Sequence, residues 1–149
     1  TSRPQLLDIV RTTTGTARLA YVAGGDLRSA FDFWAGCAFY WGRYGGPCTV
    51  VAEELSDVSN AGKAPGRWGL LLRRGLKRGI TIYAISQRWA EADKTAIGNA
   101  SRFVIFRSSN EDTLYLARQT GAPVATLGGL RPRQHVEIDA LTGKVTLFR

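Results

Sequence analysis

The sequence predicts an α/β fold: a mostly parallel sheet with helices on both faces, closed by a C-terminal antiparallel hairpin. Three observations carry this. Short unbroken apolar runs (RLAYVA, CTVVA, ITIYAI, FVIF) alternate with segments of helical periodicity, the pattern of strands covered by crossover helices. Glycine is abundant, with 17 residues, and marks boundaries rather than a linker. The last two apolar runs are separated by a short turn containing Gly143. A chain of 149 residues suits one domain spanning 1–149, on a scale of about 100–200 residues per domain.

Pro4 fits the first turn of a helix running to about Thr13, with Leu6, Leu7, Ile9 and Val10 apolar and Gly15 ending it. Arg18–Ala23 is expected to be a buried strand closed by Gly24–Gly25. Asp26 is a candidate N-cap for a helix with apolar residues at Leu27, Ala30, Phe31, Trp34, Cys37, Ala38 and Trp41. Gly45–Gly46–Pro47 stops it. Cys48–Ala52 is a second strand, running into Glu53–Glu54. Residues 56–69 read as a loop, 70–78 as a short basic helix ended by Gly79, and 80–85 as a third strand. A polar stretch with helical character covers 90–100, and Phe103–Phe106 is a fourth strand. Asn110 can cap a helix to about Gln119, whose first turn holds Glu111 and Asp112, where the helix dipole favours acids. Residues 135–139 and 144–148 form the hairpin.

Charge and composition narrow the function. Lys plus Arg number 20 against 12 for Asp plus Glu, a net +8. Lysine occurs only at Lys63, Lys77, Lys94 and Lys144, so arginine, with its forked contacts to phosphate oxygens, dominates. A polyanion, most commonly nucleic acid, is the expected partner. Six of the basic residues (Lys63, Arg67, Arg73, Arg74, Lys77, Arg78) fall in one acid-free block; the plain alternative is a solvated helix face. A hydrophobic fraction of 44% excludes global disorder. No apolar run approaches the ~20 residues of a membrane span, and no signal-peptide pattern opens the chain. Two cysteines, Cys37 and Cys48, are too few for a disulfide scaffold or a cysteine zinc site. The expected location is cytoplasmic.

In parallel sheets ligands sit at the carboxyl ends of strands. That rule selects Gly24–Asp26, Glu53–Glu54 and Ser86–Arg88. Adjacent carboxylates after a strand suit Mg²⁺ binding by one and activation of water by the other; two solvated acids opening a loop is the alternative. An amide at Gln87 can sense a γ-phosphate or orient water, or can be an ordinary loop residue.

With those motifs in place, Thr49–Ala122 resembles the HerA–FtsK class of P-loop ATPases, the DNA-pumping and genome-packaging motors. TVVAEE resembles their Walker B strand, LLRRGLKRGITIYAISQR their basic helix, strand and Gln-Arg ending, and ASRFVIFRSSNEDTLYLARQTGA the next strand and helix. The resemblance implies a RecA-like core with ATP and Mg²⁺ as cofactors and DNA as partner. It also implies a homo-oligomeric, hexameric motor, in a host cytoplasm or virion and with a viral or membrane-associated partner protein. By position it implies Glu53 on the metal, Glu54 as base for water, Gln87 as sensor and Ser86 beside the nucleotide. It places Arg73, Arg74, Lys77 and Arg78 where such motors reach a neighbouring subunit's nucleotide.

Three departures accompany it. The phosphate loop G-x-x-x-x-G-K-[ST] is absent; the G-K pairs, Gly62–Lys63 and Gly143–Lys144, are followed by Ala and Val. Either residues ahead of Thr1 supply that loop together with its strand, or it is lost. Glu53 stands in place of the usual Asp, and Leu76 where relatives often carry a base. The rival expectation is a non-catalytic nucleic-acid-binding or structural module with a degenerate ATPase fold. For DNA contact the candidates are Lys63, Arg67, Lys77, Arg88, Arg131 and Arg133. Trp68 and Trp89 are read as packing beneath the loop, with base stacking the alternative; His135 is read as a strand residue.

Overall fold

The computed structural model describes residues 2–64 and 66–149. Helix α1 (Arg3–Thr12) opens on a capping box, in which Ser2 and Gln5 satisfy each other's backbone N–H. Asp26 accepts from the N–H groups of Arg28 and Ser29 and starts α2 (Leu27–Tyr44), the longest helix. Leu6 and Val10 of α1 bury against Cys37 of α2. Strand β1 (Cys48–Ala52) leads into a one-turn helix, α3 (Leu55–Val58), and then α4 (Gly66–Arg74). A 3-10 turn (Leu76–Arg78) delivers the chain to β2 (Ile80–Ala84), which pairs parallel with β1 in the register Val50↔Ile82. Helix α5 (Lys94–Asn99), β3 (Arg102–Phe106), α6 (Asn110–Thr120), α7 (Val124–Gly128), β4 (His135–Asp139) and β5 (Val145–Phe148) complete the order.

The α/β class with a parallel pair and a C-terminal antiparallel sheet agrees with expectation. Four details do not. First, the strands form two sheets, β1–β2 parallel and β3–β4–β5 antiparallel, so the outer edges of β2 and β3 carry no strand among the described residues. Second, residues 18–23 form no strand. They run as an irregular strap beside α2 and β1, bounding a groove of about 1010 Å³, with Leu19 and Val22 exposed. A six-residue apolar run carries no period, so it reads alike whether it pairs or merely lines a groove. The expected ligand place at Gly24–Asp26 goes with that strand, and Asp26 serves as a cap. Third, α4 starts at Gly66, ahead of the expected residue 70. It ends at Arg74, and the basic block is divided by Gly75.

The fourth correction concerns the sheet faces. Val50, Ala52 and Ile80 bury against Ala35 of α2 and Trp68 and Leu71 of α4, while Val51, Tyr83 and Ile85 on the alternate positions are exposed. Likewise Ile105, Val136 and Ile138 pack with Leu116 and Leu127, while Val104 and Phe106 are exposed. Each sheet is covered on one face, not two. Trp89 packs against both cores and joins them.

The close approach of α2 to β2 depends on Gly42, because a Cβ there would fall on Ile80 Cδ1. Ile80 is buried and has little room to yield. Gly42→Val is expected to cost about 1–3 kcal/mol by overpacking. At roughly 2–4 °C per kcal/mol this lowers Tm by several degrees in calorimetry; an unchanged Tm would contradict the contact.

Candidate functional site

The register of β1 and β2 sets the site. Their last pair is Ala52↔Ala84, and the ladder continues one step on: Ile85 N–H donates to the Ala52 carbonyl (2.8 Å) and Leu55 N–H to the Ile85 carbonyl (3.0 Å). Glu53 and Glu54 are thereby held beside Ile85–Gln87 at the carboxyl ends of both strands. Gln87 Nε2 donates to Glu54 Oε1 at 2.7 Å. Glu54 sits in the left-handed region, φ 49 and ψ 53, immediately before fully buried Leu55. A side chain larger than glycine pays a conformational penalty there, and such residues cluster at functional sites. Its carboxylate makes no capping bond to α3 and is spent on Gln87.

Glu53 is exposed and has no ion pair within 4.0 Å among the described residues. No three His, Cys, Asp or Glu side chains gather as a metal site among those residues. A free carboxylate of this kind fits Mg²⁺ only together with phosphate oxygens and water, which is how that ion is ordinarily held. Ser86 Oγ accepts from Arg88 N–H (3.2 Å), and the Arg88 guanidinium pairs with Glu91 at 2.6 Å.

Arg73, Arg74, Lys77 and Arg78 lie elsewhere. They cluster around the entry to β2, one five-residue strand from Gln87, or roughly 16 Å at about 3.3 Å per residue. Arg73 and Arg74 are exposed at the end of α4, Lys77 is exposed, and Arg78 lies over the Phe39 ring at 4.0 Å. Arg67 donates through its backbone to Asp32 Oδ1 (2.6 Å) and pairs with Oδ2 at 3.5 Å. Lys63 is exposed ahead of α4. Arg131 and Arg133 are exposed in the turn entering β4, on the other sheet.

Trp68 is core, its indole N–H donating to Asp93. His135 stacks on Phe148 with centroids 4.9 Å apart, and the Phe106 ring lies tilted against it at 5.1 Å. Burial pushes the Cys37 thiol up, against the opposing pull of Arg67 and Arg11, and burial alone raises Cys48; both are packing residues, poor as nucleophiles. Sequence reasoning missed Phe39, Tyr40, Arg43 and Tyr44, which line a pocket with Arg67 and Arg78. The available signal was Tyr40 and Tyr44, four residues apart on a helix read only for its core face.

No protein-family model matches the chain. A 67-residue segment, 45% of the chain, is 39% identical to Protein P9 of Pseudoalteromonas phage PM2 and spans 31% of that protein's length. In fold, the chain is similar to the genome packaging NTPase B204 of Sulfolobus turreted icosahedral virus 2. Against its complex with AMPPCP the TM-score is 0.82 at 10% identity, covering 100% of this chain and 71% of that one. Against its complex with ATP-gammaS the TM-score is 0.78 at 10% identity, with the same coverage. Against B204, the DNA-packaging ATPase from Sulfolobus turreted icosahedral virus, it is 0.72 at 11% identity, covering 85% and 64%. At these identities the likeness establishes the fold.

Proposed function

We propose that this chain is the core of a viral genome-packaging ATPase of the HerA–FtsK type: RecA-like, acting on DNA, and working as a homo-oligomer, a hexamer. The observation that supports this best is the Glu54–Gln87 hydrogen bond at the ends of adjacent parallel strands, within a fold shared with a packaging NTPase. Glu54 takes the proton of the attacking water, and Gln87 holds that carboxylate in place and orients the water against the γ-phosphate. Glu53 would hold Mg²⁺ together with the phosphates. When bound, the ion would supply charge neutralisation to the phosphates. Arg73, Arg74 and Lys77 are too far from Gln87 to serve their own site, so they are assigned to a neighbouring subunit's nucleotide; Arg78 is laid on Phe39 and stays with its own pocket. Lys63, Arg88, Arg131 and Arg133 are assigned to DNA, Arg88 at the cost of its pair with Glu91.

The phosphate loop is assigned to residues outside this sequence, carried on a strand that pairs with the free edges of β2 and β3. The unpaired edges and the exposed apolar positions Tyr83, Ile85, Val104 and Phe106 support that placement. A second reading, a non-catalytic DNA-binding module, is favoured by the absence of G-x-x-x-x-G-K-[ST] from the 149 residues. ATP turnover in the whole natural protein separates the two. With Mg²⁺ and DNA present, Gln87→Ala is expected to lower kcat roughly 10–100-fold with little change in KM. That range corresponds to about 1.5–3 kcal/mol for a hydrogen bond to a charged group. An unchanged kcat in this variant sinks the assigned role, and no turnover in the parent favours the module.

A further inference from the structure

We infer that the outer face of α2 carries a nucleotide-sized site, which holds one unstacked nucleotide of single-stranded nucleic acid. A pocket of about 260 Å³ lies between α2 and the α4–β2 connection, lined by Phe39, Tyr40, Arg43, Tyr44, Arg67 and Arg78. Three arginine and three aromatic side chains therefore border one small volume, whose wall is mostly apolar. The Tyr40 and Tyr44 centroids are 4.6 Å apart and their planes tilted by 43°, and both rings are exposed. Arg43 lies 5.1 Å over Tyr44, and Arg78 lies 4.0 Å over Phe39. Arg67 reaches the pocket because residue 36 is glycine: a Cβ there would stand 2.6 Å from Arg67 Cδ.

The chemistry selects the occupant. A guanidinium stacked on a ring keeps its N–H edge free for phosphate oxygens. Arg43 and Arg78 have no carboxylate within 4.0 Å among the described residues; Arg67 shares Asp32 at 3.5 Å. Tyr40 and Tyr44 are exposed, and a tyrosine ring offers stacking to any base at about 1–3 kcal/mol. The volume is just below the roughly 300–1,000 Å³ of drug-sized ligand sites. It accepts one base with its phosphate and excludes a duplex, whose bases are already stacked on each other. The site lies at the amino end of β2, away from Glu54 and Gln87, so it does not depend on the hydrolytic reading.

The test is fluorescence anisotropy of labelled oligothymidylate with the whole chain, in buffer containing neither ATP nor Mg²⁺. Tyr44→Ala is expected to weaken binding 5–150-fold, the stacking energy above converted at 1.36 kcal/mol per tenfold. Tyr44→Phe should bind as the parent does, Arg43→Gln should weaken binding, and thermal melts should show each variant folded. A 5-iodouracil oligonucleotide should photocrosslink to Tyr40 or Tyr44. Equal binding by Tyr44→Ala, equal affinity for a blunt duplex, or displacement by AMP as effective as by the oligonucleotide would each overturn the assignment. The titration contains no nucleotide triphosphate, so its failure is distinct from failure of the ATPase proposal.

Discussion

Glu54→Gly is expected to melt higher than the parent and to hydrolyse ATP at least a hundredfold more slowly. The two effects have separate causes at one residue. Glu54 holds φ 49 and ψ 53, a conformation that costs a residue bearing a Cβ about 1–2 kcal/mol. Glycine removes that cost but loses more chain entropy on folding, about 0.5–1 kcal/mol, so the net gain is near 0.5–1 kcal/mol. In a chain of this size that raises Tm by about 1–4 °C. The same substitution deletes the carboxylate that Gln87 positions at 2.7 Å. A general base contributes about 10²–10⁴-fold to rate. Glu54→Gln resolves the two, because it keeps the strained backbone and removes the base. Its turnover should fall as far, with no gain in Tm. Calorimetry and phosphate release on the whole natural protein measure both. A lower Tm for the glycine variant would show that the backbone stores no strain, and an unchanged rate in either variant would remove Glu54 from the chemistry.

That Glu54 and Gln87 end neighbouring strands is legible because it follows from local rules. CTVVA and ITIYAI are β-rich runs followed by polar residues, and parallel pairing brings their ends together. The left-handed backbone at Glu54 was not legible, since nothing in the letters EEL distinguishes it from an extended continuation of β1. RLAYVA resembled the other apolar runs and became a strap, because what decides pairing is a free partner edge at the right distance, a property of the whole fold. The exposed positions Val51, Tyr83, Val104 and Phe106 explain why both-face burial was expected: the strands have the composition of buried ones, and one face lacks a cover among the described residues. The aromatic pocket is not legible in the sequence, because the periodicity of α2 marks the residues that bury, while Tyr40 and Tyr44 are exposed.

The basic block illustrates how a charge run divides once folded. Its six positive charges share one acid-free stretch, 63–78, but acquire three environments. Arg67 is tied to Asp32, Arg78 is laid on Phe39, and Lys63, Arg73, Arg74 and Lys77 are solvated. Separation by the α4 terminus and the 3-10 turn reduces the mutual repulsion that one uninterrupted helix would carry. The charges facing the pocket are therefore fixed by packing, whereas the solvated ones are free to meet a polyanion.

Asp93→Ala is expected to destabilise the protein by about 2–4 kcal/mol, the largest loss from a single side chain outside the apolar core. Asp93 is completely buried and fully engaged. Oδ2 accepts from the Trp68 indole N–H at 2.9 Å, and Oδ1 accepts from Ala96 N–H at 2.8 Å as the cap of α5. Its own N–H donates to Ser59 Oγ at 3.1 Å, and that hydroxyl donates to the Leu55 carbonyl at 2.8 Å. Losing the cap costs about 1 kcal/mol. Leaving the indole N–H of Trp68, itself 1% exposed, without an acceptor costs a further 1–3. Trp68→Phe in the same background removes the orphaned donor. The double variant should therefore be less destabilised than the sum of the two single ones, by more than 0.5 kcal/mol in a denaturant cycle. Strict additivity would deny the bond its energetic role. The bonding chain from Asp93 through Ser59 ends on Leu55, the residue after Glu54. That link leaves through the Asp93 backbone N–H, which alanine keeps, so Asp93→Ala should hold its turnover per folded molecule, and a larger fall would contradict this.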